Sequence, residues 1–171
     1  SGTVRVDYDA IGNPVRLMDQ AGHTTLLTYT LGLPARPVAL QDARDGVTTI
    51  GYGPLGRPIT VTGQLGHQYV TTYDQAGRPI AVTDPLGHTT RYGYDLLGNT
   101  TVITDANGHA MLMQYDALNR LSEVRNAEGQ FLQYGYDPAG NVAVITDTFG
   151  YTATIAYDAL NRPELATDQE G

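Results

Sequence analysis

Tyrosine returns at a fixed interval along this chain. Tyr73, Tyr94, Tyr115, Tyr136 and Tyr157 follow one another at 21 residues, Tyr52 stands 21 before Tyr73, and Tyr29 stands 21 after Tyr8. Only the step from Tyr29 to Tyr52 differs, at 23. A period this short means one supersecondary unit per repeat, and such a unit must stack on its neighbours to bury anything at all. The spacing predicts a single array of eight units over residues 4–171, the last cut short at Gly171, with a two-residue insertion near residues 33–37. No room is left for a separate domain or linker. Ser1-Gly2 reads as a cloning scar ahead of the array.

Inside each unit the punctuation is equally regular. The stretch Tyr73-Asp74-Gln75-Ala76-Gly77-Arg78-Pro79 opens with one Asp-x-x-Gly, and Asp84-Pro85-Leu86-Gly87-His88 supplies a second, ten residues on. The first motif recurs as Asp9…Gly12, Asp95…Gly98 and Asp137…Gly140. The second recurs as Asp19…Gly22, Asp105…Gly108, Asp147…Gly150 and Asp168…Gly171. Asp at the first position and Gly at the fourth predicts a type I turn, closed by a residue of positive φ. At Asn119 and Asn161 asparagine replaces that glycine, and it is the residue next most tolerant of the conformation. Pro85 and Pro138 stand second in their turns, where a φ fixed near −65° suits type I geometry.

Between turns lie stretches of six or seven residues rich in Thr, Tyr, Val and Ile, which favour strands. One position is apolar throughout: Leu17, Val61, Val82, Ile103, Val124, Ile145 and Ala166. Each unit therefore reads as two short strands, and the whole as an all-β antiparallel hairpin meander of about fifteen strands without a long helix. Residues 109–128 contain neither Gly nor Pro, and Ala117, Leu118, Leu121 and Val124 fall at helical spacing. The phase of Tyr115-Asp116 and Asn119-Arg120 nevertheless continues through them, and a helix would leave two strand edges unpaired, so the expectation here is strand. Fifteen strands at about 4.8 Å would extend some 70 Å, and twist makes sheets beyond about ten strands curl, so the expected form is a curved or spiralling ribbon. Its faces should differ, one aliphatic and tyrosine-rich and the other more polar. Its two terminal edges are candidates for self-association.

Composition removes several classes of function. There is no cysteine, hence no disulfide framework, thiolate metal site or cysteine nucleophile. Eighteen acids face ten arginines and no lysine, a net charge of −8 that disfavours nucleic acid, whose binding needs clustered cations. No run approaches the ~18 apolar residues of a membrane span, and the start of the chain lacks the apolar core of a signal peptide. Ser122 is the only serine beyond Ser1, and Gly-x-Ser-x-Gly is missing, which removes serine-hydrolase chemistry. Paired carboxylates for glycoside hydrolysis are not singled out, because a repeat makes every aspartate equivalent. The reading is non-enzymatic.

Three recurring residues invite a binding site. His23, His67, His88 and His109 share one repeat position, but equivalents two strands apart lie about 9.6 Å from one another, too far to converge on zinc. The reading is a polar side chain bonded to the turn backbone. Calcium would need six to eight oxygens where each turn offers one carboxylate, so the aspartates are read as acceptors for their own turn amides. No metal or cofactor is expected. Arginine recurs at the sixth position counted from the tyrosine, as Arg57, Arg78, Arg120 and Arg162, placed to pair with the acids rather than to hold an anion. Tyr8, Tyr73, Tyr94, Tyr115, Tyr136 and Tyr157 are read as a packing layer on one face, whose hydroxyls need a partner in the neighbouring hairpin or an arginine. The alternative use of that strip is to bind sugar rings at a cell surface.

Tyr-Asp-x-x-Gly-Arg followed by Thr-Asp-x-x-Gly-His-Thr-Thr-x-Tyr-x-Tyr-Asp resembles the YD repeats of the Rhs family of bacterial polymorphic toxins, to which Tc-toxin C components and animal teneurins are related. The resemblance covers residues 4–171 in eight copies. It implies a β-ribbon spiralling into a hollow shell, a structural role with no catalysis, and a secreted or cell-surface bacterial protein. The implied partners are flanking YD repeats and an enclosed C-terminal toxin. Family shells carry many more repeats. The sequence Asp84-Pro85-Leu86-Gly87 looks like part of the family's self-cleavage motif, but His88 follows it in the phase of an ordinary second turn.

Overall fold

The computed structural model describes residues 4–168, so Ser1-Gly2 and the end of the last turn, Asp168…Gly171, fall partly or wholly outside the described residues. The described chain is all-β, with sixteen strands rather than about fifteen, because Arg5–Tyr8, ahead of the first turn, is a strand as well. The fold divides into two compact units, residues 1–89 and 90–171.

The first unit holds β1 (Arg5–Tyr8), β2 (Pro14–Met18), β3 (Thr24–Tyr29), β4 (Pro37–Gln41), β5 (Val47–Tyr52), β6 (Pro58–Thr62), β7 (Gln68–Tyr73) and β8 (Pro79–Thr83). Each strand pairs antiparallel with the next in sequence. The second unit runs through β9 (Thr89–Tyr94), β10 (Thr100–Thr104), β11 (Ala110–Tyr115), β12 (Leu121–Arg125), β13 (Phe131–Tyr136), β14 (Val142–Asp147), β15 (Thr152–Tyr157) and β16 (Pro163–Thr167), in the same serial antiparallel order.

The helical spacing at residues 117–125 does not give a helix. Ala117 and Leu118 form the turn itself, Asn119 adopts φ 65°, and Leu121–Arg125 is strand β12. A positive φ stops a right-handed helix at once, so the turn asparagine overrides the apolar spacing.

Two register habits shape both units. The tyrosine that ends each odd-numbered strand pairs with the first residue of the following strand, and the register slips there by one residue, as at Tyr52↔Pro58 and Tyr136↔Val142. A bulge at a strand's first residue accommodates proline, which has no N–H to donate, and Pro14, Pro37, Pro58, Pro79 and Pro163 all occupy that place. Away from the bulge, strict alternation separates two faces. In the second unit Met113↔Val124↔Leu132 and Ile145↔Ala153 lie on one face, while Gln114↔Glu123↔Gln133↔Thr146↔Thr152 lie on the other. In the first unit Leu27↔Leu40 and Ile50↔Val61 likewise oppose Thr28↔Ala39↔Thr49↔Thr62.

Neither face is covered. Among the described residues no apolar side chain is buried, and Glu123, 8% exposed, is the one buried polar residue. A sheet one layer thick cannot enclose a side chain as a two-layer domain does. Cohesion therefore comes from the backbone ladder, from cross-strand pairs worth about 0.2–1 kcal/mol each, and from side-chain ties between hairpins.

Candidate functional site

The chemistry of this chain is concentrated in its turns and in the tyrosines beside them. In the turn at Asp9, the Gly12 N–H donates to the Asp9 carbonyl at 3.2 Å, and the Asp9 N–H donates to the Asn13 carbonyl at 2.9 Å. The same two bonds recur at Asp74, Asp84, Asp95, Asp105, Asp137 and Asp147, closed by Gly77, Gly87, Gly98, Gly108, Gly140 and Gly150. Every one of those closing glycines has φ between 85° and 95°. Asp45, Asn119 and Asn161 take the same position at φ 59–65°.

The aspartate carboxylate then locks the turn from within. Asp95 Oδ1 accepts the N–H of Leu97 at 2.9 Å and of Asn99 at 2.8 Å, while Oδ2 accepts Asn99 Nδ2 at 2.9 Å. At most of these aspartates the side chain of the fourth residue on supplies the second clamp, whereas Gly46 at Asp42 and Tyr151 at Asp147 bond through their N–H. The clamp is Asn13, Asn99 or Asn141 at Asp9, Asp95 and Asp137. It is Arg78, Arg120 or Arg162 at Asp74, Asp116 and Asp158, with ion-pair distances of 2.7, 2.7 and 2.6 Å. It is histidine at the second turns, where Nδ1 of His23, His88 and His109 lies 2.9, 3.0 and 3.1 Å from Asp19, Asp84 and Asp105. The histidine side chain thus bonds the turn carboxylate rather than the turn backbone. The tight turn brings the fourth residue's ring over Oδ2, while its N–H holds Oδ1. His67 follows a turn that opens with Gly63 and so lacks that carboxylate.

These bonds hold the carboxyls below the ordinary range. The Asn13, Asn99 and Asn141 amides act first on Asp9, Asp95 and Asp137, as the His23 ring does on Asp19. The N–H of the fourth residue on acts first on Asp74, Asp105, Asp116 and Asp158. At Asp84 partial desolvation is the largest influence and acts upward, yet the bonds from His88 and Leu86 together outweigh it. Asp84 is thus an ordinary turn aspartate in its surroundings. Each of these carboxylates already spends both oxygens on its own turn.

The tyrosines tie one hairpin to the one before it. The hydroxyls of Tyr29, Tyr52 and Tyr73 donate to the carbonyls of Pro14, Pro37 and Pro58 at 2.9, 2.7 and 2.8 Å. Those of Tyr115, Tyr136 and Tyr157 donate to Thr100, Leu121 and Val142 at 3.0, 2.7 and 3.0 Å. The partner is always fifteen residues back, at the bulged start of the preceding strand. Tyr94 ends β9 at the same repeat position. Tyr8, at the same position in β1, is 62% exposed. Arginine adds a second tie: the guanidiniums of Arg36, Arg57 and Arg120 stack over Tyr52, Tyr73 and Tyr136, with 5.9, 5.9 and 4.2 Å to the ring centroids. Arginine and tyrosine in these stacks are sixteen residues apart.

Glu123 was not singled out by the sequence. It occupies a place that is apolar in other strands, such as Val102 and Val144, and it opposes Gln114 and Gln133. Gln133 Nε2 donates to one oxygen at 3.0 Å, and Arg125 pairs with the other at 2.7 Å. The Gln133 bond is the first cause of a lowered pKa. Arg125 also stacks on Phe131, 4.7 Å to the centroid. Glutamine in both flanking strands was the available signal.

Comparison with known proteins agrees with this geometry. Residues 73–110 and 115–152 match the family model described as RHS Repeat. Among solved structures, a Photorhabdus luminescens Tc holotoxin pore with a mutated TccC3 superposes with a TM-score of 0.68 at 14% identity, over 99% of this chain and 11% of that one. A crystal structure of TcdB2-TccC3 has 16% identity and a TM-score of 0.47, over 97% of this chain and 13% of that one. The chain therefore spans about a ninth of the holotoxin chain it resembles. No curated protein sequence matches it.

Proposed function

We propose that this chain, an antiparallel β-meander carrying RHS repeats at residues 73–110 and 115–152, is a wall segment of a hollow β-shell in a secreted bacterial toxin. The observation that carries the reading is the uncovered face. In each unit an aliphatic and tyrosine surface is open to solvent, and no apolar side chain among the described residues is buried. An apolar surface of that kind signals a missing neighbour. The neighbour that fits a repetitive wall is an enclosed, incompletely folded polypeptide, joined C-terminal to the repeats. Confinement is then the whole mechanism. Hairpins tied by turn clamps and tyrosine hydroxyls make a continuous barrier, and the carboxylates, histidines and hydroxyls are consumed in holding it together.

The second reading, a surface adhesion module that stacks sugars on the tyrosine strip, draws less support. In that strip the hydroxyls of Tyr73, Tyr115, Tyr136 and Tyr157 donate to backbone carbonyls, and the rings of Tyr73 and Tyr136 already carry an arginine.

The test is protease protection in the parent reading frame. A polypeptide joined C-terminal to the array should survive proteinase K until the array unfolds. Placing aspartate at Leu132 and Ile145 on the apolar face should shorten its survival, while Thr146→Asp on the opposite face should not. A downstream polypeptide digested equally fast with and without the array would defeat the proposal.

A further inference from the structure

Clamp side chains do more than close their own turns. Asn99 Nδ2, besides binding Asp95, donates to Oδ1 of Asn119 in the next hairpin's turn. Asn141 Nδ2 does the same to Asn161, at 3.0 Å. Both acceptors are turn-closing residues of positive φ, 65° and 59°, and both stand where most units have glycine. A second arrangement appears in the other unit of the fold. There the guanidiniums of Arg36 and Arg57 rest against the turn-closing Gly56 and Gly77. A Cβ on either glycine would fall within 2.1 and 1.9 Å of a guanidinium nitrogen. In both arrangements the partners are twenty residues apart.

Glycine and asparagine both satisfy a turn that needs positive φ. The preceding hairpin decides between them. Opposite an asparagine amide, glycine removes the acceptor. Opposite an arginine that lies across the turn, asparagine puts a Cβ inside the guanidinium. Arg36 and Arg57 reach across because neither has an aspartate four residues before it, whereas Arg120 is held by Asp116 and leaves open space at Gly140.

We propose that the residue just before the strand that follows a first turn, where it is asparagine or an arginine not clamped by its own turn aspartate, forms a matched pair with the turn-closing residue twenty places on, asparagine with asparagine or arginine with glycine, which specifies which hairpin can follow which. The recognised partner is thus another repeat, read through its first turn. In an array whose backbones are nearly interchangeable, such pairs disfavour skipped or swapped units, which is the characteristic failure of repeat proteins.

A double-mutant cycle in the full chain tests the pairing through its sign. If Asn119 served only its own turn, Asn119→Gly would leave the urea midpoint unchanged or raise it, because glycine favours φ near 65°. The pairing predicts a fall with Asn99 present, and no fall in the Asn99→Ala background. The arginine arm runs in the opposite direction. Gly77→Asn should lower the midpoint with Arg57 present, and leave it unchanged or raise it in the Arg57→Asn background. Equal shifts in both backgrounds, in either arm, overturn the proposal.

Discussion

Removing one hydroxyl from the sheet should cost a predictable amount. Tyr136→Phe deletes the bond to the Leu121 carbonyl at 2.7 Å while leaving the ring under Arg120, 4.2 Å from its centroid. An intramolecular hydrogen bond contributes about 0.5–1.5 kcal/mol net, and this half-buried carbonyl regains water only in part, so the expected loss is about 1 kcal/mol. Tyr136→Ala also removes the ring and its cation–π contact. Burying a large side chain completely is worth roughly 3–5 kcal/mol in truncation series, and about half of that applies to a ring that stays partly exposed. The total for Tyr136→Ala is then about 2–4 kcal/mol. Tyr8→Phe is the internal control, since Tyr8 is 62% exposed. It should shift stability by less than about 0.5 kcal/mol, the range of surface changes. The assay is urea unfolding followed by far-ultraviolet circular dichroism, with midpoints and slopes compared across the three variants. Equal shifts for Tyr136→Phe and Tyr8→Phe would refute the hydroxyl tie. A Tyr136→Phe loss as large as that of Tyr136→Ala would refute the division between ring and hydroxyl.

The remaining expectations concern the turns, the buried acid and the edges. The turn aspartates have folded pKa values below their unfolded ones, so their contribution is present above the unfolded value and is lost as pH falls through the folded one. Stability should therefore change little through these groups down to about pH 4 and fall below it, which acid titration by circular dichroism checks; replacing Asp95 and Asp137 by Asn should blunt that fall. Gly140→Ala meets only the cost of φ 93°, whereas Gly77→Ala meets φ 88° and the Arg57 guanidinium, so Gly77→Ala should lower the urea midpoint further. Glu123→Ala strips Gln133 and Arg125 of their shared partner and should lower the midpoint more than Glu128→Ala, on an exposed turn, does. Strands β1 and β16 each pair on one side only among the described residues. Sedimentation should show concentration-dependent association, and a strict monomer at high concentration would remove edge pairing.

Much of the fold could be read directly from the sequence, because one period fixes turn, strand and bulge together. Asp-x-x-Gly located the turns, and the phase of Tyr115-Asp116 and Asn119-Arg120 overrode the helical spacing around Leu118. The ties between hairpins were harder to see. Tyrosine reaches back fifteen residues, arginine stacks sixteen ahead, and asparagine bonds twenty ahead. None of those offsets equals the repeat length, so a unit viewed alone shows half of each contact. The hydroxyl's need for a neighbour followed from tyrosine chemistry, but which carbonyl it meets depends on the register slip at the bulge. Glu123 was hidden for a different reason. Its burial comes from glutamines and an arginine on flanking residues, and an acid inside a strand looks solvent-facing until that register is known.

The proposed shell is a wall one sheet thick around a filled interior. Electron microscopy of the parent protein images both at once. The expected image is a hollow shell whose wall is a single sheet, without the second layer about 10 Å away that marks a packed sandwich, and with density for a polypeptide inside it. A solid two-layer β-sandwich with the tyrosine face packed against another sheet, and no lumen, would contradict it.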